Sequence, residues 1–314
     1  LRDAVGLAGE SISERIIAQC VEGRMFLLGL RDAQAYLDVL RRNKEELDDL
    51  INAVVVPETW FFRDHAPFEF LRLYVREEWM PAHPAAVLRI LSIPCATGEE
   101  PYSIAMALIE LGLERDRFSI EAVDISKRAL ARARQGLYNR HSFRGASQAR
   151  SMRYFEETPA GFQLRPDILQ SVRFIQANAM DFAASAKASH YDLVFCRNLL
   201  IYLNEPARRS LVSNLDRALK PEGLFFLGHA EAPCVFLPAY EPALFPVSFA
   251  VRKRPLPPQR IVMAPANAPA GFPPAAFAPP PAPVFCEPPP PAPLSPEKAL
   301  EQARLCADRG DYAQ

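Results

Sequence analysis

The sequence has few of the features that mark membrane, secreted or nucleic-acid-binding proteins. Its 36 Lys and Arg residues are balanced by 37 Asp and Glu residues, and a net charge of −1 gives no electrostatic footprint for a nucleic acid or an anionic membrane. No apolar run approaches the ~20 residues that span a bilayer, and the first residues, Leu1-Arg2-Asp3, lack a signal-peptide pattern. The six cysteines have no Cys-x-x-Cys spacing, which disfavours disulfides and a zinc site and favours a reducing cytoplasm.

Glycine is scarce where dinucleotide-binding folds need it most. The stretch Cys95-Ala-Thr-Gly-Glu-Glu-Pro-Tyr-Ser103 follows an apolar run, Val87 to Ile93, and precedes the helical pattern of Ile104–Leu111. A strand that passes through a glycine turn into a helix is the cofactor corner of a doubly wound α/β domain. One glycine instead of three argues against an NAD-dependent dehydrogenase, and two carboxylates at the helix start would repel a phosphate. S-adenosylmethionine, which has a sulfonium, an ammonium and no phosphate, fits this corner.

Changes of pattern divide the chain. Residues 1–80 have helical periodicity, with Ser11 as the candidate cap of the first helix and Glu14 three residues later. Residues 81–254 alternate between strands and helices, which predicts a mostly parallel sheet. The predicted strands are Val87–Pro94, Phe118–Ile125, Val172–Ala177, Tyr191–Cys196, Gly223–Gly228 and Phe245–Arg252. The interval of about 139–171 is too long for a plain crossover, so we expect a small inserted subdomain there.

The end of the chain has another composition. Residues 255–296 hold 17 of the 31 prolines and almost no charge, which predicts a semi-rigid spacer. Residues 297–314 return to a helical pattern that resembles the start of a tetratricopeptide repeat. Half a repeat cannot bury its apolar face, so we expect the natural protein to continue beyond this point.

Polar residues follow several predicted strands, where ligands bind in open α/β sheets. Asp124 ends the second strand, and it either accepts hydrogen bonds from ribose hydroxyls or caps the helix that begins near Lys127. Asn178 follows the third strand, and Arg197 and Asn198 follow the fourth. Any one of these residues alone could be an ordinary polar loop residue. Because polar residues follow several successive strands, the sequence predicts a ligand site there.

Two further segments are candidates for the same site. Asn198 and Tyr202 are four residues apart on a helix-like run, which predicts that both lie on one face toward the site, although Tyr202 also suits a half-buried packing position. His229 and Glu231 lack a third metal ligand at recognisable spacing, so we expect them to line the mouth of the pocket rather than to hold a metal. Arg63 follows three aromatic residues. It is either a surface residue in an ion pair or an arginine that these aromatic residues hold over the site.

Together these segments resemble the chemotaxis-receptor methyltransferases, the CheR family, over roughly Ile12 to Lys253. The resemblance rests on short motifs in a specific order: Thr59-Trp-Phe-Phe-Arg63, Thr97-Gly-Glu-Glu-Pro-Tyr-Ser-Ile104, Asp124-Ile125, Phe195-Cys-Arg-Asn198 with Ile201-Tyr202, Leu219-Lys-Pro-Glu-Gly223 and Gly228-His-Ala-Glu231. The proline-rich spacer and the repeat-like end are similar to the branch with C-terminal tetratricopeptide repeats, which includes Wsp-type surface-sensing and biofilm enzymes.

The resemblance implies a small N-terminal all-helical domain followed by a class I, Rossmann-like methyltransferase domain. It implies a cytoplasmic enzyme that uses S-adenosylmethionine, releases S-adenosylhomocysteine, and esterifies glutamates on the cytoplasmic helices of methyl-accepting chemoreceptors. The repeats would bind a further protein partner. By motif, the cofactor would contact Thr59, Arg63, Glu100, Asp124, Asn178, Ala179, Arg197 and Asn198, and Arg63 and Tyr202 would lie near the transferring methyl.

The chain departs from the family pattern in three places. Pro57 stands where many members have Asn, which removes one polar cofactor contact. The early helix, Ser13–Leu28, has Arg15 and Arg24 but few other basic residues, whereas members that dock on acidic receptor helices often have more, so we expect a different receptor. The segment Tyr154–Phe174 is shorter than in relatives that bind a receptor's C-terminal pentapeptide, and we expect that tethering to be absent.

Two other functions share the fold or the motifs. A methyltransferase for nucleic-acid bases typically has an Asn/Asp-Pro-Pro-aromatic turn after the fourth strand, where this sequence has Arg197-Asn-Leu-Leu200. A non-catalytic signalling adaptor would have lost the polar residues at the strand ends, and here they are intact. Measurable cofactor affinity would separate an enzyme from an adaptor.

Overall fold

The computed structural model describes residues 5–8, 13–55, 58–145, 152–231 and 239–254. The predicted proline-rich spacer (255–296), the predicted repeat (297–314), Ser11 and Pro57 lie outside these ranges. Within them, no helix has both the length and the apolar character to cross a membrane.

Helices precede the first strand of the large sheet and alternate with the strands that follow. They are α1 (Glu14–Leu27), α2 (Ala33–Arg42), α3 (Lys44–Val54), α4 (Ala66–Tyr74, continued by a π-type turn at Val75–Trp79 and by Met80–Ala82), α5 (Glu99–Glu110), α6 (Lys127–Gln135), α7 (Pro166–Leu169), α8 (Ala179–Ser185) and α9 (Glu205–Ala218). Ser13, and not the predicted Ser11, caps α1, because the helix starts at Glu14 and the Ser13 side chain accepts from the backbone N–H of Ile16.

Helices α1 to α3 form a small cluster of their own around Tyr36, Leu50 and Val54. Arg24 of α1 donates to Glu46 (2.9 and 2.5 Å) and to Asp49 (2.6 Å) on α3, and Tyr36 donates to Glu46 (2.8 Å). The Arg24 hydrogen bonds lower the pKa of Glu46. The charge of Arg24 is therefore balanced by carboxylates within the helical cluster.

The large sheet has seven strands in the order β6-β2-β1-β7-β8-β10-β9. The first five strands in this order pair in parallel, and β10 pairs antiparallel with both of its neighbours, β8 and β9. The bounds are β1 (Leu88–Ser92), β2 (Phe118–Asp124), β6 (Val172–Gln176), β7 (Tyr191–Cys196), β8 (Leu219–Leu227), β9 (Tyr240–Pro242) and β10 (Ala250–Lys253). The chain moves outward from β1 through β2 to β6 and then returns to β7 on the other side, so the carboxyl ends of β1 and β7 flank the topological switch point.

The sheet has a hydrophobic layer on each face, because successive side chains of a strand point to opposite faces. On β7, Leu193 and Phe195 pack into the layer that contains α4 and α5. Val194 and Cys196 pack into the layer with α9. This burial on both faces confirms the predicted doubly wound α/β architecture.

The predicted insert is a three-stranded antiparallel sheet in the order β3-β5-β4. Its strands are β3 (Leu137–Tyr138), β4 (Phe155–Thr158) and β5 (Gly161–Leu164). The aromatic rings of Phe143, Phe155 and Phe162 pack edge to face within it, and Phe143 stacks on Phe61. The insert is thereby joined to the segment that carries Arg63.

Two strand predictions differ from the structure. Strand β8 begins at Leu219, before the predicted Gly223, and its pairing with β7 shifts register around Pro221–Gly223, because Pro221 has no N–H to donate and Glu222 has a positive φ of 64°. The last predicted strand, Phe245–Arg252, is confined to Ala250–Lys253, because Val247 and Phe249 have positive φ values that break an extended strand.

Candidate active site

A cavity of about 550 Å³ lies at the carboxyl ends of β1, β2 and β7. Its floor is made by the residues that follow these strands, and its walls include the first turns of α6 and α8. Residues Ile16 of α1 and Ile51 and Asn52 of α3 also line it, as do Val5 and Leu7 near the start of the chain. A cavity of this size suits a ligand of cofactor dimensions.

The N-terminal segment Val5–Ala8 pairs with the chain between Tyr202 and Asn204. Ala8 N–H donates to the Tyr202 carbonyl, and Asn204 N–H donates to the Gly6 carbonyl, both at 2.8 Å. Gly6 has a φ of +71°, and a Cβ at this position would lie 2.6 Å from the Cβ of Ala207. Glycine is thus required for this close approach.

The corner between β1 and α5 places Glu100 in the cavity wall. Gly98 has a φ of +94° before the helix, and a Cβ there would lie 2.9 Å from the Cβ of Ala133. The carboxylate of Glu100 accepts from the Ser92 hydroxyl (2.8 Å) and from Nη1 of Arg197 (3.0 Å). Burial raises the pKa of Glu100, and Arg197 opposes that shift.

Arg197 also donates through Nη2 to Asp64 (2.6 Å) and to the Arg63 carbonyl (3.2 Å), so it links α5 to the loop before α4.

Glu99 faces the opposite way from Glu100. Its carboxylate accepts from the Thr97 hydroxyl (2.7 Å) and the Ser142 hydroxyl (2.9 Å), beside the inserted sheet and outside the cavity. Burial raises its pKa. Of the two carboxylates at the start of α5, only Glu100 lines the cavity, because consecutive helical residues project about 100° apart.

Asp124 lies at the end of β2 on the cavity floor. Its two oxygens accept from the backbone N–H groups of Ala96 and Ser126, both at 2.8 Å. Burial raises its pKa, and these backbone hydrogen bonds oppose the shift. Ser126, not Asp124, caps α6, since the Ser126 side chain accepts from the N–H of Ala129. The capping interpretation of Asp124 is thus removed.

Arg63 lies in the cavity wall beside Thr59. Its guanidinium is 4.5 Å from the centre of the Trp60 ring, and Nη1 donates to the Glu58 carbonyl at 2.6 Å. Arg144 stacks on the same ring at 4.2 Å but does not line the cavity. Of the two arginines that stack on this ring, Arg63 is therefore the one that lines the cavity.

The residues after β6 and β7 complete the cavity. Asn178 caps α8 by accepting from the N–H of Met180 (3.0 Å), and Ala179 begins that helix. Arg197, Asn198 and Tyr202 line the wall after β7. The predicted helix-like run from Asn198 to Tyr202 is wrong, because Asn198 has a φ of +60° and only Leu200–Tyr202 forms a short 3₁₀ turn.

His229 and Glu231 do not line the cavity, which corrects their predicted place at its mouth. His229 is exposed and contacts the ring of Phe249. Glu231 is fully buried. Among the described residues, no group of three or more His, Cys, Asp or Glu side chains is arranged to hold a metal.

Sequence reasoning missed Asn52, whose side-chain oxygen is buried in the described structure without a hydrogen-bond partner. Its signal was present, because Asn52 is a lone polar side chain in the otherwise apolar run Leu50–Val56. Two other cavity atoms, Nε of Arg63 and Nε of Arg197, are likewise buried and unpaired within the described residues. A wall with unmatched donors and an unmatched acceptor suits a zwitterionic ligand, and the ammonium and carboxylate of S-adenosylmethionine are such groups.

Residues 57–235, more than half of the chain, match the model of the S-adenosylmethionine-binding domain of CheR methyltransferases. The chain is 41% identical over 253 residues to the probable biofilm formation methyltransferase WspC of Pseudomonas aeruginosa, covering 81% of this chain and 60% of that protein. It is 36% identical to the Pseudomonas putida protein of the same name, covering 94% and 69%, respectively. It is also 39% identical to chemotaxis protein methyltransferase 2 of Vibrio cholerae, covering 60% and 66%.

The chain thus spans 60 to 69% of the length of these relatives. The family match includes the segments that carry Arg63, Glu100, Asp124, Asn178, Arg197 and Tyr202, which the fold brings to one cavity. The chain therefore belongs to the CheR methyltransferase family.

Proposed function

We propose that this protein is an S-adenosylmethionine-dependent protein-glutamate O-methyltransferase whose substrates are methyl-accepting signalling proteins. The observation that carries the proposal is the cavity itself. It combines Asp124 at the switch-point edge of the sheet with the unmatched polar atoms of Arg63, Arg197 and Asn52. The family membership and the names of the relatives support the substrate class.

The chemistry requires little from the chain beyond position and charge. A glutamate side chain has an ordinary pKa of about 4.3, so the acceptor is already ionised at neutral pH and needs no general base. The cofactor, when bound, supplies a methyl group on a sulfonium that is also its leaving group. Alignment of the acceptor oxygen and exclusion of water supply the rate enhancement, and good alignment is worth roughly 7–11 kcal/mol.

The proposed roles follow from the cavity wall. Asp124 holds the ribose hydroxyls, because its buried carboxylate is an acceptor at the ribose position of such folds. Arg63 orients the acceptor carboxylate or the carboxylate end of the cofactor through the edge that Trp60 and Glu58 leave available. Tyr202 packs beside the methyl. Thr59, Glu100, Asn178, Ala179, Arg197 and Asn198 are the remaining proposed cofactor residues.

Helix α1 has fewer exposed basic residues than the corresponding helix of family members that dock on acidic receptor helices. Arg24 is held by Glu46 and Asp49, so Arg15 is the arginine of α1 that is exposed. We propose a methyl-accepting receptor that is recognised with little help from α1 charge, in a cytoplasmic surface-sensing or biofilm pathway like that named for the Pseudomonas relatives. A further partner would bind C-terminal repeats.

The test is transfer of labelled methyl from S-adenosylmethionine to a purified receptor cytoplasmic fragment. The expected product is label on the receptor that base releases as methanol, the signature of a carboxyl methyl ester. Calorimetry with S-adenosylhomocysteine runs in parallel. Cofactor binding without any transfer to a panel of receptors contradicts the proposed substrate class, and no binding at all favours the adaptor function.

A further inference from the structure

Glu231 is a fully buried carboxylate outside the cavity. It accepts three backbone hydrogen bonds, from the N–H groups of Asn198 (2.7 Å), Leu200 (2.6 Å) and Gly228 (2.7 Å). None of the ion pairs found among the described residues includes Glu231. A buried carboxylate is costly unless hydrogen bonds satisfy it, so these three donors account for its presence.

Two of the three donors belong to the loop that follows β7. This loop cannot be a regular helix, because Asn198 has a positive φ and the 3₁₀ turn begins only at Leu200. Without intrahelical partners, the N–H groups of Asn198 and Leu200 need another acceptor, and Glu231 supplies both oxygens. The carboxylate therefore replaces the helix that the sequence predicted.

The third donor ties the loop to β8. Gly228 follows that strand, and a Cβ there would lie 2.6 Å from Oε2 of Glu231 and 2.9 Å from Nδ2 of Asn198. Glycine thus allows the end of β8, the Glu231 carboxylate and the Asn198 side chain to meet. The loop that is fixed in this way carries Asn198 and Tyr202 into the cavity wall.

We propose that Glu231 is a positioning residue for methyl transfer, which acts by holding Asn198 and Tyr202 in the cavity wall. The inference rests on the proposed function, and it adds a residue that touches neither cofactor nor substrate. The carboxylate is suited to the task because it only accepts, whereas an amide at the same place would turn an N–H toward a backbone N–H.

The experiment compares Glu231→Gln with Asp192→Asn. Asp192 is a buried carboxylate at the opposite end of β7, where it accepts from Arg89 N–H (2.9 Å) and Lys220 Nζ (2.7 Å), so it has a similar structural role away from the cavity. With the receptor fragment as acceptor, we expect Glu231→Gln to lower kcat more than tenfold and to change KM for S-adenosylmethionine less than fivefold. Asp192→Asn should lower Tm while leaving kcat within twofold.

A purely structural role predicts something else, namely that Glu231→Gln lowers Tm but leaves kcat of the folded enzyme within twofold, or that Asp192→Asn lowers kcat equally. Either result overturns the proposal. Gly228→Ala provides a second variant that displaces the same carboxylate without changing charge, and its kcat should fall in parallel. If Glu231→Gln does not fold, this variant decides.

A measurement without an acceptor separates this proposal from the proposed function. Hydrogen–deuterium exchange of the peptide spanning Asn198–Leu203 should be at least tenfold faster in Glu231→Gln than in wild type, and unchanged in Asp192→Asn. If the wild-type protein transfers no methyl group to receptors, the proposed function is wrong. The exchange result still decides whether Glu231 holds the loop. Unchanged exchange in Glu231→Gln overturns the positioning role.

Discussion

Glu99 and Glu100 begin the same helix and are both buried, yet they belong to two different regions of the molecule. Glu100 is on the cavity side, where Arg197 and Ser92 bind it. Glu99 is on the insert side, where the hydroxyls of Thr97 and Ser142 donate to it. Helical geometry turns the two carboxylates apart, and their partners then make one a wall residue of the cavity and the other a link between the insert and the main domain.

The two sides also differ in how completely their polar atoms are paired. On the cavity side, Nε of Arg63, Nε of Arg197 and the Asn52 oxygen have no partner among the described residues. On the insert side, both Glu99 oxygens are satisfied. Unmatched buried groups cost stability, so these three atoms of the cavity wall are available to form hydrogen bonds with a ligand. Variants on the cavity side should change function, in some cases together with stability, and those on the insert side should change stability alone.

The largest expected effect is on the cavity side, at Arg63. Arg63→Ala should lower kcat by about 10²–10³, the loss typical of one charge-orienting donor at a reacting group. Arg144→Ala is the matched control, because Arg144 stacks on the same Trp60 ring but does not line the cavity. Its kcat should remain within threefold in the methyl-transfer assay. Equal losses in both variants would mean that the Trp60 stack, not Arg63, matters for turnover.

Glu100→Gln should give the next largest effect, this time on stability as well as on binding. The change leaves the buried Arg197 with Asp64 as its remaining carboxylate partner, and breaking a buried ion pair costs about 3 kcal/mol. Urea unfolding measures the loss. A free energy of unfolding within 0.5 kcal/mol of wild type, as expected for a neutral surface change, would contradict the assignment of this pair to the core of the site.

Asp124→Asn should weaken S-adenosylhomocysteine binding by about tenfold to 100-fold, because a hydrogen bond to a charged group contributes about 1.5–3 kcal/mol. Burial raises the pKa of Asp124, so on acidification the carboxyl takes up a proton at a higher pH than an ordinary aspartate does. The wild-type affinity for S-adenosylhomocysteine should therefore fall at that higher pH. The Asn variant should lack this pH dependence. Calorimetry at several pH values checks both statements, and parallel pH profiles would assign the titration to another group.

The smallest effect is expected on the insert side. Burial raises the pKa of Glu99 in the folded state, so the native protein binds more protons than the unfolded chain at pH values between the ordinary glutamate pKa and the raised one. Stability from this group therefore falls as pH rises through that window. At pH 8, Glu99→Gln should increase the free energy of unfolding by less than about 1 kcal/mol and should raise Tm slightly. Both gains should vanish on acidification. Methyl transfer should not change.

Sequence patterns predicted the α/β part closely, because its elements are buried on both faces and have strong periodicity. The helix predicted to begin near Lys127 is α6, which starts at that residue, and the predicted strand Tyr191–Cys196 matches β7 at both ends. The placement of Asp124 and Arg197 at one edge followed from topology, since parallel strands end on the same side of a sheet.

What the sequence did not predict depends on contacts between distant segments. Asn198 is not helical because Glu231, 33 residues later, takes its N–H, and no local pattern reports that. Asn52 lines the cavity because the fold brings α3 to the same cavity as the strand ends, 40 or more residues later in the chain. Glu99 and Glu100 have the same residue type and neighbouring positions, so their separate roles appear only when the insert and Arg197 are in place.

The pairing of Val5–Ala8 with Tyr202–Asn204 has a consequence for kinetics. Val5 and Leu7 form part of the cavity wall, so the cavity can open on this side only if the hydrogen bonds at Ala8 and Asn204 break. If Asp124 holds the ribose as proposed, it contributes to affinity, whereas the backbone contacts of residues 5–8 contribute to the residence time of a ligand that leaves on this side. A side chain at Gly6 would disturb this pairing through its contact with Ala207, and we expect it to change product release on this side more than the methyl-transfer step.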